Sequence, residues 1–153
     1  MWVKLLPVTQ VSVFLDNRPG SLFDVMSQLD QNRIKVFALS IADAGEFGLV
    51  RLVTDDPAKA AKLLEDKDFN LAKSKKNTEV TAIFTSEESR LSKITKILGD
   101  SGINIEYAYS SAVHVDGKVA LILRPGNVEK AEQMLSANGV AVLSLDEISK
   151  NFK

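Results

Sequence analysis

From Val8 to Asp16 apolar and polar residues alternate, with Val11, Val13 and Leu15 on one face, which predicts a half-buried strand. Asn17-Arg18-Pro19-Gly20 interrupts it. From Ser21 the apolar positions Leu22, Val25, Met26 and Leu29 recur at helical spacing. They predict a helix to about Asn32, with Pro19 suited to its start because a missing N–H costs nothing there. Alternation returns at Ile34, Val36, Ala38 and Ser40, and Ala44-Gly45-Glu46 separates this strand from a second, Phe47 to Thr54. The pair reads as a hairpin. Asp55-Asp56-Pro57 opens a short helix, Ala58 to Glu65, and a closing strand is expected at Phe69 to Lys73.

The same order restarts at Glu79. Strand Val80 to Thr85, helix Glu88 to Asp100, strands Ile103 to Ser111 and Lys118 to Arg124, helix Val128 to Ala137 and strand Val140 to Leu145 are expected. Leu22 and Leu91 differ by 69 positions, as do Leu29 and Leu98, Ile34 and Ile103, Gly48 and Gly117, and Leu52 and Leu121. Leu64 and Leu135 differ by 71, which is explained by a small insertion at Pro125-Gly126. Period, order and core positions together indicate an internal duplication. The polar stretch Lys73-Ser74-Lys75-Lys76-Asn77-Thr78 holds the boundary, giving units 1–76 and 77–153, with Asp146 onward an extra helical turn.

Each half then has four strands and two helices in the order βαββαβ. This is an α+β class: two ferredoxin-like units with antiparallel sheets, paired in tandem, each with both helices on one sheet face. A unit of this size buries barely enough surface to stand alone and leaves one sheet face bare. The units are expected to pair, either edge to edge in one eight-stranded sheet or sheet to sheet.

Composition narrows the partners. Apolar residues make up 45% and charged residues 25% of the 153, as in ordinary globular proteins. Nineteen basic against twenty acidic side chains, with no long basic run, give little electrostatic support for nucleic-acid binding. There is no cysteine, which removes disulfides, thiolate metal sites and thiol nucleophiles. Met1 to Pro7 lacks the pattern of a signal peptide and no apolar run is long enough to span a membrane, so a soluble, unprocessed, cytoplasmic protein is expected.

The turn Asp16-Asn17-Arg18-Pro19-Gly20-Ser21-Leu22 resembles the loop that opens an ACT domain, the amino-acid-sensing module of many biosynthetic enzymes. Gly102-Ile103-Asn104-Ile105 resembles the ACT pattern at the end of the first helix and start of the second strand. Phe47-Gly48, Asp56-Pro57-Ala58-Lys59-Ala60, Ile105-Glu106-Tyr107 and Arg124-Pro125 are similar to a group of small stand-alone bacterial proteins built of two ACT units. The resemblance implies a non-enzymatic regulatory sensor without a cofactor. Its expected partners are a free amino acid, a biosynthetic enzyme or regulator, and a second copy in a homodimer.

In ACT pairs the ligand lies between units, held by the loop of one and the second strand of its neighbour. Here Lys35 stands at the position matching Asn104, and Ser89 at the position matching Gly20. The resemblance therefore implies one composite ligand site per chain, made of Asp16, Asn17, Arg18, Pro19, Gly20, Ser21 and Leu22 with Asn104, Ile105 and Tyr107. Gly20 allows close backbone approach, and the N–H groups of Ser21 and Leu22 begin a helix whose positive end suits a carboxylate. Asp16 or the Asn17 oxygen would accept from an ammonium. Asn104 would add a hydrogen bond, with Ile105 and Tyr107 shaping the side-chain pocket.

Each feature also has a plainer use. Asn-Arg-Pro-Gly is a good turn in its own right. Asn104 sits at a bend after the helix-ending Gly102, and Tyr107 and Tyr109 share a strand face suited to packing. Glu87-Glu88 and Asp55-Asp56 precede helices and read as caps, and His114 reads as a solvated residue before the Asp116-Gly117 turn. The RNA-recognition fold shares the element order, but on the segments that would stack bases, Val11 to Leu15 and Leu49 to Thr54, only Phe14 is aromatic. A metal chaperone would need a ligand cluster such as Cys-x-x-Cys. No set of nucleophile, base and oxyanion donors can be named, so catalysis is not expected. A structural assembly module remains the competing class.

Overall fold

In the computed structural model the described residues are 7–72, 79–86, 89–116 and 118–151. The chain divides into two compact units, Thr9–Thr78, and Glu79–Lys153 together with Met1–Val8. The expected boundary at Lys73 to Thr78 lies outside the described residues.

The predicted first strand is split at the buried Gln10 into β1 (Val8–Thr9) and β2 (Val11–Asp16). Then come α1 (Ser21–Gln31), β3 (Val36–Ala44), β4 (Phe47–Thr54), α2 (Pro57–Asp66) and β5 (Asn70–Leu71). In this unit β2 pairs antiparallel with β4 and β5, and β3 pairs with β4, so β2 and β4 are the inner strands. Val11, Val13 and Leu15 of β2 and Val50 and Leu52 of β4 form one buried cluster with Val25 and Leu29 of α1 and Ala60 and Leu64 of α2. Both helices therefore cover the same sheet face, as the alternation requires.

The C-terminal unit has β6 (Glu79–Thr85), α3 (Leu91–Asp100), β7 (Ile105–Val115), β8 (Lys118–Pro125), α4 (Val128–Ala137) and β9 (Val142–Leu143). A last helix, α5 (Leu145–Asn151), follows and buries Ile148. The pairings are β6 with β8, β6 with β9 and β7 with β8, all antiparallel. Ile83, Leu121 and Leu123 pack with Ile94, Leu98, Ala131 and Leu135, the counterpart of the first cluster. α3 starts at Leu91 with Arg90 as its N-cap, three residues later than the expected Glu88, because Arg90 has an extended backbone; Glu87 and Glu88 lie outside the described residues.

Strand registers move the expected insertion. Leu39 pairs with Leu52 and Ala108 with Leu123, so Leu52 corresponds to Leu123, not to Leu121. Ser110 pairs with Leu121 but His114 with Val119, four steps along β7 against two along β8. The two extra residues therefore sit in β7 and not at Pro125-Gly126, because a hairpin arm can absorb them as a bulge. His114 accordingly pairs within a strand, where a turn was expected. Both second strands also carry a bulge at the same place, between Val36 and Ala38 and between Ile105 and Tyr107.

The ends of the helices repeat as well. Asp56 and Asn127 each cap a helix by accepting from the N–H three residues on, Lys59 at 3.1 Å and Lys130 at 3.0 Å. The ammonium of Lys59 donates to the Asn32 carbonyl at 3.0 Å, and that of Lys130 to the Ser101 carbonyl at 2.8 Å. Each second helix thereby ties down the exposed carbonyl end of the first.

Candidate ligand-binding site

The turn after β2 is fixed to its own hairpin. The Asn17 N–H donates to the Glu46 carbonyl at 2.9 Å, and the Asn17 side-chain amide donates to the Gly45 carbonyl at 3.1 Å. Asn17 thus orients the loop on the β3–β4 turn. The Arg18 N–H bonds back to the Asp16 carbonyl at 2.9 Å, and the two side chains form an exposed ion pair at 3.7 Å. Exposed pairs of this kind contribute about 0–1 kcal/mol, so the guanidinium remains able to exchange partners. Pro19 is exposed and Gly20 takes φ +89°, which an L side chain rarely adopts. Gly20 is the N-cap of α1, and its carbonyl accepts from Asp24 N–H at 3.0 Å.

A cleft of about 210 Å³ opens beside this turn, lined by Asp16, Arg18, Ser21 and Asp24 on one side and by Asp68, Phe69 and Asn70 on the other. Ser21 is buried, and among the described residues its hydroxyl has no hydrogen-bond partner. Its N–H makes a long bond, 3.4 Å, to the Arg18 carbonyl. Leu22 packs against the core instead. Of the seven residues of the motif the fold therefore gathers Asp16, Arg18 and Ser21 at the cleft and uses Asn17 and Leu22 to hold the turn.

Asp24, Asp68, Phe69 and Asn70 carry no motif. Asp24 lies in the first turn of α1, whereas Asp68, Phe69 and Asn70 reach the cleft because Asn70 pairs with Phe14, which carries the chain after α2 back beside β2. The strand order of the ferredoxin-like plan was the signal that could have found them.

In the C-terminal unit Asn104 is exposed, and its carbonyl accepts from the Gly126 N–H at 2.8 Å. The bulge at Glu106 separates its neighbours. Ile105 packs on the buried cluster, while Tyr107 pairs with Arg124 and stacks on Tyr109, ring centroids 6.3 Å apart. The buried Arg124 is held by the Glu79 carbonyl at 2.6 Å and the Glu106 carboxylate at 3.3 Å. Among the described residues no group of three or more His, Asp or Glu could hold a metal ion, and no helix is long and apolar enough to cross a membrane.

The duplicated βαββαβ scaffold with this loop agrees with the sequence family described as the ACT domain pair, which matches residues 6–151. The chain belongs to this family. The ACT pair is similar to protein BT0572 from Bacteroides thetaiotaomicron, with 31% identity, a TM-score of 0.81, and 95% of this chain and 97% of that one covered. It also shares its fold with the regulatory subunit of aspartate kinase from Thermus thermophilus in a ligand-free form, at 15% identity, TM-score 0.61, and 90% and 96% coverage. The corresponding subunit from Thermus flavus gives 16% identity, TM-score 0.52, and 95% and 94% coverage. Comparison with the curated proteins finds no match.

Proposed function

We propose that this ACT pair is a non-enzymatic sensor that binds a free amino acid and transmits its presence to a biosynthetic enzyme or regulator. The observation that carries the reading is the cleft at the β2–α1 turn, which has charge of both signs. Asp16, Asp24 and Asp68 suit an ammonium, and Arg18 with the Ser21 end of α1 suits a carboxylate. At about 210 Å³ it is smaller than the roughly 300–1,000 Å³ of drug-sized pockets, in keeping with a small zwitterion. Membership of a family of regulatory domains, and the fold shared with kinase regulatory subunits, support the sensing role. Asn104 and Tyr107 are proposed to complete the site, with one ligand per chain, and Ile105 to anchor that strand start on the core. A homodimer belongs to the same reading, supported by the exposed Phe14 and Phe47 on the sheet face opposite the helices.

Calorimetric titration with the twenty free amino acids tests this. The parent is expected to bind at least one, and Arg18→Ala and Asn104→Ala to weaken it by about tenfold each, the loss of one charge-assisted or polar contact. Binding to none of the twenty, or unchanged binding in both variants, would remove the proposal.

A further inference from the structure

The two units build the start of their second strand with the same parts, except for one. Val36 pairs with Thr54 and Ile105 with Pro125, so Lys35 and Asp55 correspond to Asn104 and Gly126. The main-chain bond is repeated: Asp55 N–H to the Lys35 carbonyl at 3.1 Å, Gly126 N–H to the Asn104 carbonyl at 2.8 Å. The cap that follows and the lysine tie to the preceding helix are repeated too. In the N-terminal unit a second bond closes the position, because an Asp55 carboxylate oxygen accepts from the Lys35 N–H at 3.0 Å. Gly126 has no side chain with which to do the same for Asn104.

The fold does not demand glycine there. Gly126 is absent from the residues with positive φ, and a Cβ added to it would meet its nearest atom, the Asn104 carbonyl oxygen, at 3.7 Å, an ordinary contact. Without a backbone reason for glycine, what Gly126 does is leave the space beside Asn104 free of a side chain. Asp55 shows which chemical group fits that space, since its own carboxylate occupies it in the other unit.

We infer that Gly126 keeps the Asn104 main-chain N–H open as a docking point for a ligand carboxylate, and that Asp55 seals the equivalent point in the N-terminal unit. The inference rests on the reading of Asn104 as part of the ligand site, and it makes Gly126 a specificity-determining residue. A carboxylate oxygen bonded to a main-chain N–H is a charge-assisted contact, about twice as strong as a neutral one. One ligand per chain follows, because only one of the two strand starts is open.

The test uses the full chain, labelled with ¹⁵N, as parent, Gly126→Asp and Gly126→Ala. Gly126→Asp is expected to slow exchange of the Asn104 amide by about tenfold, and Gly126→Ala to leave it unchanged. Titration with sodium acetate, against sodium chloride at equal ionic strength, is expected to move the Asn104 amide resonance in the parent and in Gly126→Ala but not in Gly126→Asp. Unaltered exchange in Gly126→Asp, no acetate response in the parent, or an equal response in Gly126→Asp would overturn the inference. If the parent binds none of the twenty amino acids, the sensor reading fails on its own, and the acetate arm still decides the role of Gly126.

Discussion

Glu132 and Ala61 stand 71 positions apart, on equivalent turns of α4 and α2, yet one is a buried acid and the other a methyl group. The Glu132 carboxylate accepts from the Thr81 hydroxyl at 2.8 Å, both residues being almost fully enclosed. A buried carboxylate that loses a donor keeps its desolvation cost, about 1–3 kcal/mol for the lost bond. Thr81→Val is therefore expected to lower stability by that amount, and the double variant Thr81→Val with Glu132→Leu to recover part of it. Paired denaturant titrations check this; equal loss in both would show that the cost lies in packing. Sequence reading singled out the loop and Asn104 but passed over Glu132, because a glutamate in an amphipathic helix looks like a solvent residue until its neighbour in space is known. Gly126 was passed over for a similar reason: it was absorbed into an insertion that the registers place in β7.

Among the elements, the helix ends show how the two halves solve one problem differently. The residue that leaves each helix must turn left-handed, and the C-terminal unit uses Gly102 (φ +72°) and Gly139 (φ +80°). At the same places the N-terminal unit has Arg33 (φ +57°) and Asp68 (φ +64°). A left-handed L-residue costs roughly 1–2 kcal/mol, partly offset by the greater chain entropy of glycine. Arg33→Gly is expected to stabilise the protein by about 0.5–1 kcal/mol, read as a rise in the denaturation midpoint without a change in slope. No gain would mean that the Arg33 side chain contributes more than its backbone costs. These missing glycines also made the first half harder to read. Element types were legible from period 2 and period 3.6 throughout. The short edge strands β5 and β9 were not fully legible, because two paired residues are set by the neighbouring strand rather than by their own pattern.

At the scale of the whole chain, duplication was the most legible feature, since the equal spacing of Leu29 with Leu98 and Ile34 with Ile103 survives in the two buried clusters, although Leu91, the counterpart of Leu22, is exposed. The cleft was less legible because Asp68 and Asn70 are brought to it by strand order alone. A sensor that binds only when folded gains stability from its ligand, about 2.7 kcal/mol at a hundred times the dissociation constant. A thermal-shift panel of the twenty amino acids should therefore raise the melting temperature with the same compound that binds in calorimetry, at one equivalent per chain. Two equivalents would contradict the sealing of one strand start by Asp55.

The lysine ties have a consequence for covalent chemistry. Lys59 and Lys130 hold the ends of α1 and α3 through charged ammonium groups on carbonyl oxygens. Acetylation would remove the charge and most of the donor capacity from both. A single lysine-directed reagent or enzyme would thus loosen the same joint twice in one molecule, and a chain built by duplication inherits its vulnerabilities in pairs.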